Sequence, residues 1–237
     1  MFLLNEAIFK SEEITKSFMI KGINTEKEIH LKEYIAELKD EKNNKIGKSH
    51  IFYTASFPNN FEFDGLLGND YLSGFLIYMN LPDKLALISN IEPYSLILND
   101  FYKIPIIFEN GHISLNGNIH NNNFQLLLDT GSGISYIDLD LAEKLGLIKS
   151  RTINYFDLSG KVVKGQTYLA NEFCLKENEC EKDIEFLAGK TFNNFQPKNH
   201  SIIKGILGAD WMKRYYLFLD YKGKTLYIKK KPKFFWE

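Results

Sequence analysis

The 237-residue sequence has few cysteines, almost no net charge and no long apolar run. A net charge of −1 gives no electrostatic reason to expect a nucleic acid partner. No apolar run approaches the roughly 18 residues that a membrane span requires. The first residues as printed show neither the basic region nor the apolar length of a signal peptide. The sequence therefore predicts no nucleic acid partner and no membrane span in this chain.

Motifs for metals and nucleotides are also missing. The sequence contains no HExxH and no CxxC, and its five histidines are scattered among polar neighbours. Gly-Lys-Ser occurs at 47–49, but Lys42 stands where a phosphate-binding loop needs its first glycine. We therefore predict no metal site and no cofactor.

The two cysteines, Cys174 and Cys180, flank the segment "LKENE", which is typical of a hairpin tip. Two free thiols and one disulfide are both compatible with this spacing. We predict that the two Cα atoms lie within about 7 Å, as a disulfide requires. A disulfide would indicate an oxidising compartment. The sequence gives no other indication of localisation. An extracytoplasmic location is favoured if the disulfide forms and the true N-terminus lies upstream.

What is present is a β-rich pattern with short helices. The alternating segment 112–120 and the apolar segment 124–129 predict two strands joined by a turn. Segment 138–147 predicts a short helix that ends at Gly146, and a second short helix is expected near 209–214. One hairpin is predicted at 153–165, and a second hairpin is predicted with its turn at Lys222-Gly223.

The sequence also contains a partial internal repeat. Segment 65–88 aligns without gaps on 205–228, with matched glycines at 65/205 and 68/208. Upstream of these, 33–57 parallels 167–192. An internal repeat predicts two similar lobes: residues 1–95 as an incomplete first lobe that lacks its Asp loop, and residues 96–237 as a complete one. The alternative is two unrelated hairpins of similar composition.

The most informative motif is Asp129-Thr130-Gly131, which directly follows the apolar run "FQLLL". Such a strand can place a carboxylate at the floor of a cleft, and glycine permits a close backbone approach. Thr130 could brace an opposing loop, and Ser132 could donate to the carboxylate. Two carboxylates about 3 Å apart share one proton, so one activates water while the other polarises a carbonyl.

The segments "LLLDTGSGISYI", "YFDLSGKVV" and "GILGAD" together resemble the retropepsin-like and pepsin-like aspartic proteases. The resemblance covers about 112–230 well and 18–90 in part. It implies a mostly β fold, a closed aspartic-protease-like barrel, with Asp129 as a catalytic residue and Thr130, Gly131 and Ser132 as its loop. The resemblance further implies a flap over the substrate, formed by Phe156, Asp157, Leu158, Ser159 and Gly160. It also implies a segment that supports the Asp129 loop, formed by Ile206, Leu207 and Gly208.

The function implied by this resemblance is an aspartic endopeptidase that hydrolyses a peptide or protein substrate without a cofactor. The partial first copy has no Asp-Thr-Gly or Asp-Ser-Gly. At the repeat offsets, the partner of Asp129 would fall six or twelve residues before Met1, which predicts that the reading frame continues upstream. The 237-residue chain alone is then expected to fold poorly. The alternatives are a catalytically inactive binding or scaffold protein, or a homodimer that pairs two copies of Asp129.

Overall fold

The chain is described by a computed structural model. The structure describes ten ranges: 2–5, 14–21, 26–39, 45–55, 65–89, 98–109, 111–156, 161–176, 179–190 and 203–232. Within them the chain is mostly β, as the sequence predicts. None of the helices in these ranges is long enough and apolar enough to cross a bilayer.

The first nine strands precede the Asp-Thr-Gly motif and its neighbouring hairpin. They are β1 Phe2–Asn5, β2 Ile14–Lys21, β3 Glu26–Lys39, β4 Lys45–Ala55, β5 Gly65–Leu66, β6 Leu76–Asn80, β7 Leu85–Ser89, β8 Tyr102–Pro105 and β9 Ile107–Glu109. A single-turn helix, α1 Asn69–Leu72, lies between β5 and β6.

The remaining elements carry the motif. They are β10 His112–Ile119, β11 Asn122–Leu128, β12 Tyr136–Asp138, α2 Leu139–Lys144, β13 Ile148–Phe156, β14 Val162–Lys176, β15 Glu179–Gly189, β16 Ile203–Leu207, α3 Ala209–Met212, β17 Tyr215–Asp220 and β18 Thr225–Lys230. The predicted hairpins and both predicted helices are present in this list.

The chain divides into two compact units. One comprises Met1–Leu72 with Phe156–Lys161, and the other comprises Ser73–Tyr155 with Val162–Glu237. The hairpin β6–β7 belongs to the first sequence repeat but pairs with β17 of the second, which accounts for the division near residue 72. The proposed lobe boundary between 95 and 96 remains a prediction.

The second unit contains a closed barrel of six strands. Its sheet runs β14-β15-β12-β16-β11-β10, and a further pairing between β14 and β10 closes the ring at Asn118 and Cys174. Strand side chains alternate across a barrel wall, and the inward positions here are apolar. The centre is filled by large, fully buried side chains, namely Leu115, Ile119, Leu126, Ile137, Phe173 and Phe186.

A second sheet of the same unit, ordered β7-β6-β17-β18-β8, shows the internal repeat in its pairing. Tyr78 pairs with Phe218, which is its own equivalent at the 140-residue offset, and the neighbouring pairs are symmetric about this one. The two hairpin turns also match, because Lys84 and Lys224 both adopt positive φ, at 52° and 47°. The local symmetry supports one repeated unit over two unrelated hairpins.

The first unit contains a sheet ordered β2-β3-β4-β1-β5. Its strand β1 runs parallel to β4 and antiparallel to β5, as β12 runs parallel to β15 and antiparallel to β16. Tyr34 pairs with Phe52 in one sheet, and Tyr168 pairs with Phe186 in the other. The first unit therefore repeats the β13-β14-β15-β12-β16 order. In the barrel sheet β16 pairs next with β11, whereas in the first unit no strand among the described residues pairs with β5 on the corresponding side.

Local capping explains the helix that follows the motif. The carboxylate of Asp138 accepts a hydrogen bond from the Leu141 amide at 3.0 Å and caps the first turn of α2. Gly146 follows the helix at φ 65°, as the sequence predicts for a glycine after a helix end. Lys204 forms an ion pair with the other oxygen of Asp138 at 3.3 Å and joins the cap to β16.

Candidate active site

Strand β11 carries Asp129 at its end, and β16 lies beside it. Leu128 pairs with Leu207 and Leu127 with Ile206 in parallel register. On its other side β16 pairs with β12, where Tyr136 meets Ile206. The strand that contains Ile206 and Leu207 therefore lies between the two strands that enter and leave the Asp129 loop. The side chains of Ile206 and Leu207 are both buried, so buried apolar packing supports the Asp129 loop.

The loop itself is held by backbone hydrogen bonds. The Asp129 amide donates to the Leu207 carbonyl at 3.1 Å, and the Ala209 amide donates to the Ser132 carbonyl at 2.7 Å. One carboxylate oxygen of Asp129 accepts from the Gly131 amide at 2.8 Å. Asp129 itself is partly exposed.

Of the two expectations about the loop side chains, the one for Ser132 needs revision and the one for Thr130 stays untested. The Ser132 hydroxyl donates to the Ile134 carbonyl at 2.7 Å, so it bends its own loop and does not support the Asp129 carboxylate as expected. Thr130 is exposed, and its bracing role remains a prediction.

Gly208 is the position beside the loop where the structure leaves no room for a side chain. A Cβ at this position would lie 2.6 Å from the Ile134 carbonyl oxygen and 2.7 Å from that of Ser132. Gly131 is less constrained, since its Cβ would lie 3.2 Å from the Asp129 carboxylate, and a Cβ at Gly133 would meet nothing within 4 Å. The close backbone approach predicted for the Asp-Thr-Gly turn is thus made by the glycine of the supporting segment.

Sequence reasoning missed a buried polar link behind the loop. The Ser135 hydroxyl donates to a carboxylate oxygen of Asp210 at 2.7 Å and accepts from the Gly208 amide at 3.0 Å. Asp210 lies within α3, whose N-cap position is occupied by Gly208, and the same carboxylate oxygen also accepts from the Trp211 amide at 2.8 Å. The repetition of Asp210 at Asp70 was the available signal, but it did not identify the partner.

The predicted flap lies partly outside the described residues. Phe156 ends β13 and is 62% exposed, while Asp157, Leu158, Ser159 and Gly160 are outside the described ranges. At the base of this hairpin the Tyr155 ring meets the Tyr136 ring edge-on, with centroids 6.2 Å apart. Burial raises the pKa of Tyr136 to about 12, and the nearby Tyr155 and Asp210 add to the rise.

The cysteine prediction is confirmed. Cys174 and Cys180 pair across the β14–β15 hairpin with a Cα–Cα distance of 4.0 Å and form a disulfide. The bond lies on the strand that closes the barrel, because Cys174 also pairs with Asn118 of β10. It therefore links β14 to β15 next to the barrel closure.

Residues 113–211 match the sequence profile of a family described as aspartyl protease. The predicted aspartic protease resemblance is confirmed over this segment. The matched segment runs from β10 to α3 and so contains the Asp129 loop, the hairpin and the supporting β16.

Solved structures give two further similarities. A retropepsin-like aspartic protease from Rickettsia conorii has 21% sequence identity and a TM-score of 0.37, with 54% of this chain and 89% of that chain covered. Basic 7S globulin from soybean has 11% identity and a TM-score of 0.48, with 91% of this chain and 72% of that chain covered. Among curated proteins, none matches the sequence.

Proposed function

We propose that this protein is an aspartic endopeptidase and that Asp129 is one member of its catalytic carboxylate dyad. The observation that carries the proposal is the Asp129 loop, which β16 supports within a segment that matches the aspartyl protease family. The backbone fixes the carboxylate before any substrate arrives, which is what a general acid or base requires. The substrate is a peptide or protein chain.

The reaction needs two carboxylates with different protonation. The ionised one removes a proton from water while the water oxygen attacks the peptide carbonyl, and the protonated one donates a hydrogen bond to the carbonyl oxygen. The proton then passes to the leaving amine as the C–N bond breaks. The proposed flap, Phe156 to Gly160, would cover the substrate and exclude bulk water.

We place the partner carboxylate upstream of Met1. In the first unit Leu3 pairs with Leu66 as Tyr136 pairs with Ile206 in the second, so Leu3 is the equivalent of Tyr136. Asp129 precedes Tyr136 by seven residues. If the spacing is the same before Leu3, the proposed second carboxylate would lie five residues before Met1, close to the six predicted from the sequence offset.

The test is a peptide-library digest at pH 3–7. It compares the 237-residue chain, a form extended to the next upstream in-frame start codon, and Asp129→Asn in each. We expect the extended form to cleave and its Asp129→Asn variant to lose at least about a hundredfold in rate, since removing a general base usually costs 10²–10⁴. Asp140→Asn, an exposed change in α2, is the matched control and should leave the rate unchanged.

The same digest separates the alternatives. Cleavage that persists in Asp129→Asn would refute the proposed role of Asp129. Asp129-dependent cleavage by the 237-residue chain, together with a dimer mass in light scattering, would favour the homodimer. No cleavage by the extended form would leave the binding or scaffold function.

A further inference from the structure

A group of three metal-ligating side chains comes together in the β14–β15 hairpin, in the part of the chain that the structure describes. It consists of Glu172, Cys174 and Cys180, and a carboxylate oxygen and the two sulfurs of these side chains all lie within 4.8 Å of one another. Sequence motifs predict no metal site here, because the ligands come from two strands and follow no standard metal-binding spacing.

The register of the hairpin places the three side chains on one face. Cys174 pairs directly with Cys180 across the two strands. Glu172 precedes Cys174 by two residues in β14, and residues two apart in a strand point to the same face. Glu172 and Cys180 are exposed, so a metal ion and a water molecule can reach this face.

The two sulfurs are bonded to each other in the disulfide and offer no thiolate in that form. A dithiol reductant that delivers two electrons and two protons converts the disulfide into two thiols and is itself oxidised to a disulfide. The sulfurs then separate, because no bond holds them together. Two Zn–S bonds of about 2.3 Å at a tetrahedral angle need about 3.8 Å between the sulfurs, which side chains on paired strand positions can reach.

We propose that the reduced hairpin is a zinc site in which Glu172, Cys174 and Cys180 are the protein ligands and a water molecule is the fourth. Thiolate and carboxylate groups are ordinary ligands of tetrahedral Zn²⁺. Zinc binding releases the two thiol protons to solvent. Two thiolates and a carboxylate leave one negative charge after Zn²⁺ has bound, and Lys182, which pairs with Glu172 across the hairpin, brings a positive charge to the same face.

Zinc takes the place of the disulfide as the cross-link between β14 and β15. Strand β14 also pairs with β10 at Cys174 and Asn118, where the barrel closes. The hairpin beside the closure is therefore cross-linked in both redox states, by the disulfide under oxidising conditions and by zinc under reducing ones. This inference does not depend on peptidase activity.

The first test is zinc binding by the 237-residue chain, measured by competition with a chromophoric chelator, with the cysteines oxidised or reduced by a phosphine. We expect one Zn²⁺ per reduced chain and none on the oxidised chain. Glu172→Gln should weaken zinc binding by the reduced chain about tenfold or more, since changes to residues that only support a ligand already cost about 10–100-fold. Glu179→Gln is the matched control, because it removes the same charge beside Cys180 from a carboxylate that bonds to Tyr102, and it should leave the affinity unchanged.

Three results of this test would refute the proposal. They are the absence of zinc from the reduced chain, zinc on the oxidised chain, and equal affinities in the parent and Glu172→Gln.

Urea unfolding of the reduced chain shows whether the folded hairpin holds the zinc. Zn²⁺ should raise the unfolding midpoint of the reduced parent, since a ligand that binds the folded state stabilises it. The double variant Cys174→Ala, Cys180→Ala should show no such shift. A midpoint of the reduced parent that stays constant or falls in zinc would overturn the proposal, because the metal would then bind thiols of the unfolded chain.

Discussion

The Ser135 hydroxyl donates a 2.7 Å hydrogen bond to Asp210, across 75 residues of sequence. Ser135 is fully buried, and its oxygen also accepts from the Gly208 amide. This single hydroxyl joins the exit of the Asp129 loop to the start of α3. The loop and the segment that supports it are therefore fixed to each other by a polar contact as well as by strand pairing.

Replacement of Ser135 by alanine should destabilise the fold by about 1–3 kcal/mol, because it leaves a buried Gly208 amide and an Asp210 carboxylate oxygen without this partner. Urea unfolding measures the loss. Ser150→Ala is the control, since the exposed Ser150 bonds only at the surface, to Glu185, and surface changes usually stay within about 0.5 kcal/mol. Equal losses in the two variants would contradict the bridging role of Ser135.

Gly208→Ala should cost about 1–3 kcal/mol, because the added Cβ would meet two backbone carbonyl oxygens that cannot move without shifting the loop. Gly133→Ala lies in the same loop but meets nothing within 4 Å, and should change the unfolding free energy by less than about 0.5 kcal/mol. Thermal unfolding of the two variants side by side checks this. A larger loss at Gly133 than at Gly208 would show that the loop packs differently.

Reduction of the Cys174–Cys180 disulfide should lower the unfolding free energy by about 2 kcal/mol, the value that chain entropy gives for so short a loop. Denaturant titrations with and without reductant measure it. The double variant Cys174→Ala, Cys180→Ala should resemble the reduced protein and show no response to reductant. A response in that variant would mean that the reductant acts elsewhere.

Alkali should destabilise the fold through Tyr136. Burial raises the pKa of this phenol from 10.0 to about 12 in the folded chain. The neutral phenol therefore contributes stability that is fully present below pH 10 and is lost as the pH rises through about 12. Unfolding free energies measured from pH 9 to 12 should fall less steeply in Tyr136→Phe. Tyr102→Phe, at a 51% exposed position, should follow the parent chain, and an identical slope in all three would contradict the prediction.

The local features of this fold could be predicted from the sequence, and the contacts between distant segments mostly could not. The short helix within 138–147 and its end at Gly146 depend on neighbouring residues, so the sequence pattern predicts both. The bond between Ser135 and Asp210 could not be predicted, because the two residues lie 75 positions apart in the chain. The repeat was the exception: matched glycines at 65 and 205 identified equivalent strands whose register the structure then showed.

The position of β16 between β11 and β12 has a consequence for synthesis. Asp129 leaves the ribosome before Leu207, 78 residues later in the chain, and a rate of about 5–20 residues per second makes that interval roughly 4–16 seconds. Until β16 emerges, the Asp129 amide has no Leu207 carbonyl to bond to, and β11 and β12 lack the strand that joins them. A nascent chain therefore cannot hold the Asp129 loop in its final geometry until β16 has been translated.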